Sequence, residues 1–339
     1  MACILALVAS IPLVVALPSP HSGDRFDWSS TKALLAFGDS YTYVQGTHGH
    51  QNYSFIGDLF NYAYDAQTLF SDMIVQNQTG TAEGGPNWIE HLTGCGLEEG
   101  FTSPSSCERE LWDFAFAGAD ISTKYTPRHH NYTVSLEEQI TQYTEYGHKP
   151  LSGRLSTHET LVAIWIGIND VGDSARYTTV DYFPTFYDAL VTTLFESVDE
   201  LYGLGFRSYL FFNLPPMERD PSNLGSSDPS PNITQVEWYN AAVAQHAESF
   251  GKKYADTNVM LFDAHARLSA ILDDPAPYGI VNTTNFCAGY DQPDIYTDYR
   301  NYGCPTPLDT YFWYDSGHMT SHVHAILARE LAEWLDKQS

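Results

Sequence analysis

The chain has 339 residues, 43% of them hydrophobic, enough for one large domain or two medium ones with a sizeable core. Sixteen Lys and Arg against 42 Asp and Glu give a net charge of −26, the wrong sign for tracking a phosphate backbone, so nucleic acid is excluded as a partner. Charged residues are 17% and aromatic residues 14% of the chain, the reverse of a disordered composition.

Met1 to Ala16 is apolar and lacks ionisable side chains, which predicts a signal peptide over residues 1–16 with Val14-x-Ala16 as the small-residue cleavage site. Later apolar runs fall short of the roughly 20 residues a bilayer span needs. Loss of the leader removes Cys3 and leaves four cysteines, for which three pairings exist. The local one, Cys95 with Cys107 and Cys287 with Cys304, is expected, because free thiols do not persist outside the cell. Asn52, Asn77, Asn131, Asn232 and Asn282 head Asn-x-Ser/Thr acceptors for glycosylation, which agrees with export.

Nearly continuous apolar runs at Ala33–Phe37, Leu161–Ile166, Tyr209–Phe212 and Val259–Phe262 predict strands buried on both faces, and hence a parallel sheet. Between and after them, helical patterns cover about Phe183 to Tyr202, Thr234 to Tyr254 and Ser321 to Lys337. This alternation predicts an α/β fold, a three-layer sandwich with a central mainly parallel sheet in a single domain, and no repeat or linker divides it. Pro221 to Pro231 is expected as a surface loop, and Gly94 to Ser106, bracketed by Cys95 and Cys107, as a stapled excursion.

The first chemical signal is Phe37-Gly38-Asp39-Ser40-Tyr41, where an apolar strand stops at a serine and a helix is expected to start just after it. The second is Asp315-Ser316-Gly317-His318, whose spacing lets a carboxylate bond one imidazole nitrogen while the other reaches a serine. Between them, the backbone N–H of Gly118 and the side-chain amide of Asn169 stand where strands could end, as oxyanion donors. Each alone also reads as an ordinary turn, cap or packing glycine. Their joint order carries the functional reading.

In that order the chain resembles the SGNH or GDSL hydrolase superfamily, with Ser40, Gly118, Asn169 and His318 on its four name-giving residues. Gly85-Pro86-Asn87-Trp88, Ala163 to Asp170, Phe212 to Pro216 and Tyr311-Phe312-Trp313 are similar to fungal secreted acetylesterases of carbohydrate esterase family 16. The resemblance spans about Leu34 to Leu335 and implies a flavodoxin-like SGNH hydrolase domain over residues 31–337. It implies Ser40 as nucleophile, His318 as general base and acid, and Asp315 as its orienting carboxylate. The oxyanion hole would be the N–H groups of Ser40 and Gly118 and the Asn169 side chain. Tyr41 and Met319 depart from the usual pattern and are expected at the pocket rim, bearing on acyl preference rather than mechanism.

The implied activity is secreted, extracellular removal of acetyl groups from hemicellulose-derived oligosaccharides by a monomeric enzyme without cofactor or metal. Its partners are an acetylated oligosaccharide or a small ester, not nucleic acid or membrane. Trp88 and Trp313 are candidate sugar contacts, whereas Trp165 lies in a strand and is expected in the core. Two alternatives are a GDSL esterase or lipase for longer acyl chains, disfavoured by the polar stretch Tyr43 to Tyr53, and a catalytically silent carbohydrate-binding protein. His48-x-His50, His129-His130 and His322-x-His324 are expected as loop and surface histidines, since no metal-ligand motif accompanies them. Glu98-Glu99 and Asp273-Asp274 are expected as solvated charge.

Overall fold

A computed structural model describes residues 25–339, so the expected leader at 1–16 lies outside the described residues. Five strands form the central sheet: β1 (Ala33–Gly38), β2 (Glu110–Asp113), β3 (Thr160–Trp165), β4 (Ser208–Phe212) and β5 (Asn258–Phe262). Their spatial order is β2-β1-β3-β4-β5, and every neighbouring pair is parallel. β1, β3 and β4 are buried throughout, as apolar runs covered on both faces require. β5 closes one edge and is only half-buried, which corrects the expectation that it is covered on both sides.

β2 was not among the expected strands. It holds only Glu-Leu-Trp-Asp, and the run Phe114–Ala119, expected at a strand end, lies entirely beyond it. Its place in the sheet comes from pairing Glu110 through Asp113 with Ala33 through Ala36, not from hydrophobic pattern.

Two groups of helices flank the sheet, making three layers. One joins α1 (Trp88–Thr93) and α7 (Ser321–Gln338). The other joins α2 (Leu136–Gln142), α4 (Phe183–Gly203) and α5 (Ile233–Lys253). A short helix α3 (Ile168–Ser174) follows β3, and α6 (Ala264–Asp273) follows β5. The long helices begin and end within a residue or so of the expected bounds, because caps mark them: Asn232 and Gln235 form a capping box on α5, and Thr320 caps α7 through Val323 N.

Trp165 stacks on Phe212 at 4.7 Å between ring centroids, and Trp88 lies 4.8 Å from the same ring. Trp88 and Trp313 are both fully buried, which overturns their candidacy as sugar contacts. Their indole N–H groups donate to Thr42 Oγ1 and Thr283 O, so the core satisfies them.

Both expected disulfides, Cys95–Cys107 and Cys287–Cys304, are present. The Cys95–Cys107 bond staples the excursion from Gly94 to Ser106, within which Gly100–Thr102 pairs antiparallel with Ile74–Gln76. Asn52, Asn77, Asn131 and Asn232 are exposed, while Asn282 is half-buried and its Oδ1 accepts from Thr284 N and Asn285 N. His324 is wholly buried, contrary to the surface expectation, and accepts from Trp88 N at Nδ1. No described helix is long and apolar enough to cross a membrane.

Candidate active site

At the carboxyl end of the sheet, β1, β2 and β3 each release a loop toward one place, the point where strand order reverses and ligands bind in open parallel sheets. β1 ends at Gly38 because no side chain fits there: a Cβ would lie 2.3 Å from Trp165 O on β3. Gln139 of α2 clamps this glycine, accepting from its N–H at 3.0 Å and donating to its carbonyl at 2.8 Å. The chain then turns rather than entering a helix, correcting the expectation of one after Ser40. Asp39 O accepts from Thr42 N and Tyr43 N, and Asp39 Oδ1 accepts from Tyr41 N at 3.0 Å. Asn87 holds the far side of the turn by donating to Thr42 O and Tyr43 O.

Ser40 Oγ lies 2.8 Å from His318 Nε2, and His318 Nδ1 lies 2.9 Å from Asp315 Oδ2. The other Asp315 oxygen accepts from the backbone N–H groups of Gly317 and His318, so carboxylate and imidazole belong to one tight turn. Thr320, the cap of α7, stands two residues further on and anchors that turn to a helix.

Tyr41 is buried rather than at the rim: its hydroxyl donates to Gly317 O at 2.6 Å and its ring lies 5.5 Å from the His318 ring. Met319 is also fully buried. Tyr41 therefore packs against the His318 turn and Met319 belongs to the core, and neither stands at the entrance.

Gly118 sits in a turn after β2 with φ +78°, a conformation that favours glycine. Asn169 opens α3 after β3, and its Nδ2 donates to Ala119 O at 2.9 Å, leaving a second N–H on the same amide. Asp170 accepts from Ile121 N with both oxygens, at 3.1 and 3.0 Å. These bonds tie the Gly118 turn to the start of α3. The N–H groups of Ser40 and Gly118 are engaged by no other described residue.

Burial by itself depresses the His318 imidazole pKa, yet the Asp315 charge and hydrogen bond, with Glu83 and Asp39 behind, lift it to about 9. Burial opposes ionisation of Asp315, and the facing His318 outweighs it, holding this carboxyl below the usual range. Glu83 and Asp39 are pushed up by burial to about 8 and about 7. Neither Glu83 oxygen has a hydrogen-bond partner, and the imidazole 3.7 Å from its Oε1, that of His324, is kept neutral by burial.

Of the residues singled out in the sequence, Ser40, Asp315, His318, Gly118 and Asn169 converge here. Gln139 and Glu83, which position or polarise them, carried no spacing signal, whereas Asp170 closed the Gly-x-Asn-Asp block and Tyr41 stood out only as a departure from the usual pattern. Asn87 carried a local one, as the first residue of an Asn-x-x-Glu capping box with Glu90.

Residues 34–331 match the GDSL-like lipase/acylhydrolase family. An acetylesterase of Thermothelomyces thermophilus is 27% identical over 263 residues, covering 75% of this chain and 78% of its own. Another acetylesterase, from Hypocrea jecorina, is 22% identical over 96% of this chain and 92% of its own. A solved carbohydrate acetylesterase from Sinorhizobium meliloti aligns at a TM-score of 0.42 and 12% identity, over 91% of this chain and all of its own. With the match spanning nearly the whole described chain, this protein belongs to the GDSL-like lipase/acylhydrolase family and is a carboxylic-ester hydrolase.

Proposed function

We propose that this hydrolase removes acetyl groups from plant cell-wall oligosaccharides by a Ser40–His318–Asp315 acyl-enzyme mechanism, outside the cell. The observation that carries the reading is the unbroken chain from Ser40 Oγ through His318 to Asp315, with links of 2.8 and 2.9 Å. Ser40 Oγ attacks the ester carbonyl while its proton passes to His318 Nε2. The oxyanion is received by the N–H groups of Ser40 and Gly118 and by the second N–H of the Asn169 amide. The tetrahedral intermediate collapses to acyl-Ser40 as His318 returns the proton to the departing alcohol oxygen. Water then enters by the same route, and acetate leaves.

The acetyl preference is supported by the two acetylesterase relatives. Export is supported by the two disulfides and the exposed glycosylation acceptors.

The test is hydrolysis of aryl esters from acetate to octanoate beside acetate release from acetylated xylo-oligosaccharides, with wild type and Ser40→Ala. Acetate is expected to be the best acyl group, and kcat in Ser40→Ala to fall by about 10⁴–10⁶ at unchanged Tm. Preference for octanoate would replace the acetyl reading with a longer-chain esterase. Near-wild-type turnover in Ser40→Ala would remove the nucleophile.

A further inference from the structure

Beside the seam joining the Gly118 turn to α3 lies a group of side chains that ester hydrolysis does not use. Asp120, two residues past Gly118, is 4% exposed; its Oδ1 has no hydrogen-bond partner, and the neighbouring Thr126 hydroxyl, which favours its ionised form, is buried and equally unpaired. His129 lies against Gly118, where a Cβ on the glycine would stand 3.3 Å from His129 Cβ and Nδ1. The other ring nitrogen, Nε2, faces Asp173 Oδ2 at 2.7 Å. Asp173 is one turn along α3 from Asn169. One ligand atom from each of Asp120, His129 and Asp173 lies within 4.8 Å of the other two.

A buried carboxylate oxygen without a donor bears its desolvation cost uncompensated, and such an atom in a native fold calls for a partner. With His129 protonated, the two carboxylates and one imidazolium carry a charge of −1. A divalent cation on neutral His129 brings the group to zero and supplies the partner that Asp120 Oδ1 lacks. One imidazole with two carboxylates suits a first-row divalent ion, whereas Ca²⁺ and Mg²⁺ prefer all-oxygen shells.

We propose that Asp120, His129 and Asp173 bind a divalent cation of the Zn²⁺ class, which clips together the two segments carrying Gly118 and Asn169. The cation takes the place of the proton between His129 Nε2 and Asp173 Oδ2, and that proton is released to solvent. Zinc bonds of about 2.0–2.2 Å put tetrahedral ligands about 3.4 Å apart, a contraction that the partly exposed His129 and Asp173 side chains absorb by changing rotamer. Solvent or a small anion completes the shell. The sequence pattern His129-His130 held one ligand of this set, and the fold supplies the other two, against the expectation of no metal.

The experiment is calorimetric titration of the full chain, stripped with chelator, with Zn²⁺ and separately with Ca²⁺, followed by thermal melts. It is repeated on His129→Ala and Asp173→Asn, whose side chains are partly exposed and whose folding is checked by circular dichroism, and on Asp120→Asn. The expected result is one Zn²⁺ per chain, a Tm raised by Zn²⁺ in the wild type, and affinity at least tenfold weaker in each variant. Absence of stoichiometric Zn²⁺ binding, or unchanged affinity in His129→Ala and Asp173→Asn, would overturn the site. Equally tight Ca²⁺ binding would overturn the assigned class of cation.

Discussion

His318 can take a proton from Ser40 only when neutral, so the charge around it sets the acid limb of the pH profile. Asp315 lifts the imidazole above its ordinary value, to about 9, and a raised base is active above its pKa and loses activity as pH falls through it. The acid limb of kcat/KM is therefore expected on the alkaline side of 6.5, and Asp315→Asn is expected to move it to lower pH while reducing kcat less than Ser40→Ala does. A limb that stays put in Asp315→Asn would refute that electrostatic role. Asn169→Ala removes one proposed oxyanion donor and also frees Ala119 O, and kcat is expected to fall about 10²–10³-fold with little change in KM. A loss confined to KM would instead make Asn169 a substrate contact. Ser40, Asp315 and His318, which the fold joins by hydrogen bonds, were legible because acyl transfer demands those residue types in a distinctive order, and the same order singled out Gly118 and Asn169, the proposed oxyanion donors. Glu83 and Tyr41 were not: a buried Glu beside His318 and a Tyr bonded to Gly317 O have significance only through neighbours hundreds of residues away.

Elements position these groups through backbone bonds made by side chains. Gln139 of α2 serves both polar groups of Gly38, so Gln139→Ala leaves a buried N–H without its acceptor and removes a donor from the carbonyl. A loss on the order of 2–4 kcal/mol is expected in chemical denaturation, with kcat falling as well because the Ser40 turn begins at Gly38. A silent variant would mean that the clamp is redundant. Strands β1, β3 and β4 could be read because an apolar run with no polar alternation is what a strand covered on both faces must be. β2 escaped, since a four-residue strand bounded by Glu and Asp has no such run and owes its state to pairing with β1. The helix expected after Ser40 failed for a related reason: Asp39 and Asn87 hydrogen bonds capture the chain in a turn before a helical register starts.

For the molecule as a whole, the acidity is partly internal. Burial pushes the carboxyls of Asp39, Asp72, Glu83 and Asp120 up to about 7, 6, 8 and 7, from ordinary values of 3.8 or 4.5. A carboxyl raised on folding contributes stability that is complete below its unfolded value and is lost as pH climbs through the folded one. His318, raised to about 9, acts in the same direction at higher pH, while Asp315, lowered, contributes stability that is lost only on strong acidification. With a net charge of −26 adding self-repulsion, Tm is expected to fall steadily from about pH 5 to about pH 8 in calorimetry. A Tm that rises over that range would refute the buried-carboxyl account.

Composition, run lengths and motif order, taken alone, determined the layered α/β class, the long helices, the local cysteine pairs and the three residues Ser40, His318 and Asp315 that the fold joins in one hydrogen-bonded chain. Those features rest on local chemistry: periodicity, caps, short-loop closure and residue types that acyl transfer requires. Tertiary structure alone decided that Trp88 and Trp313 are core, that Tyr41 and Met319 are buried rather than at the rim, that β2 exists, and that Asp120, His129 and Asp173 meet. Burial, strand pairing and ligand geometry are properties of distances between segments remote in sequence, and no local pattern encodes them.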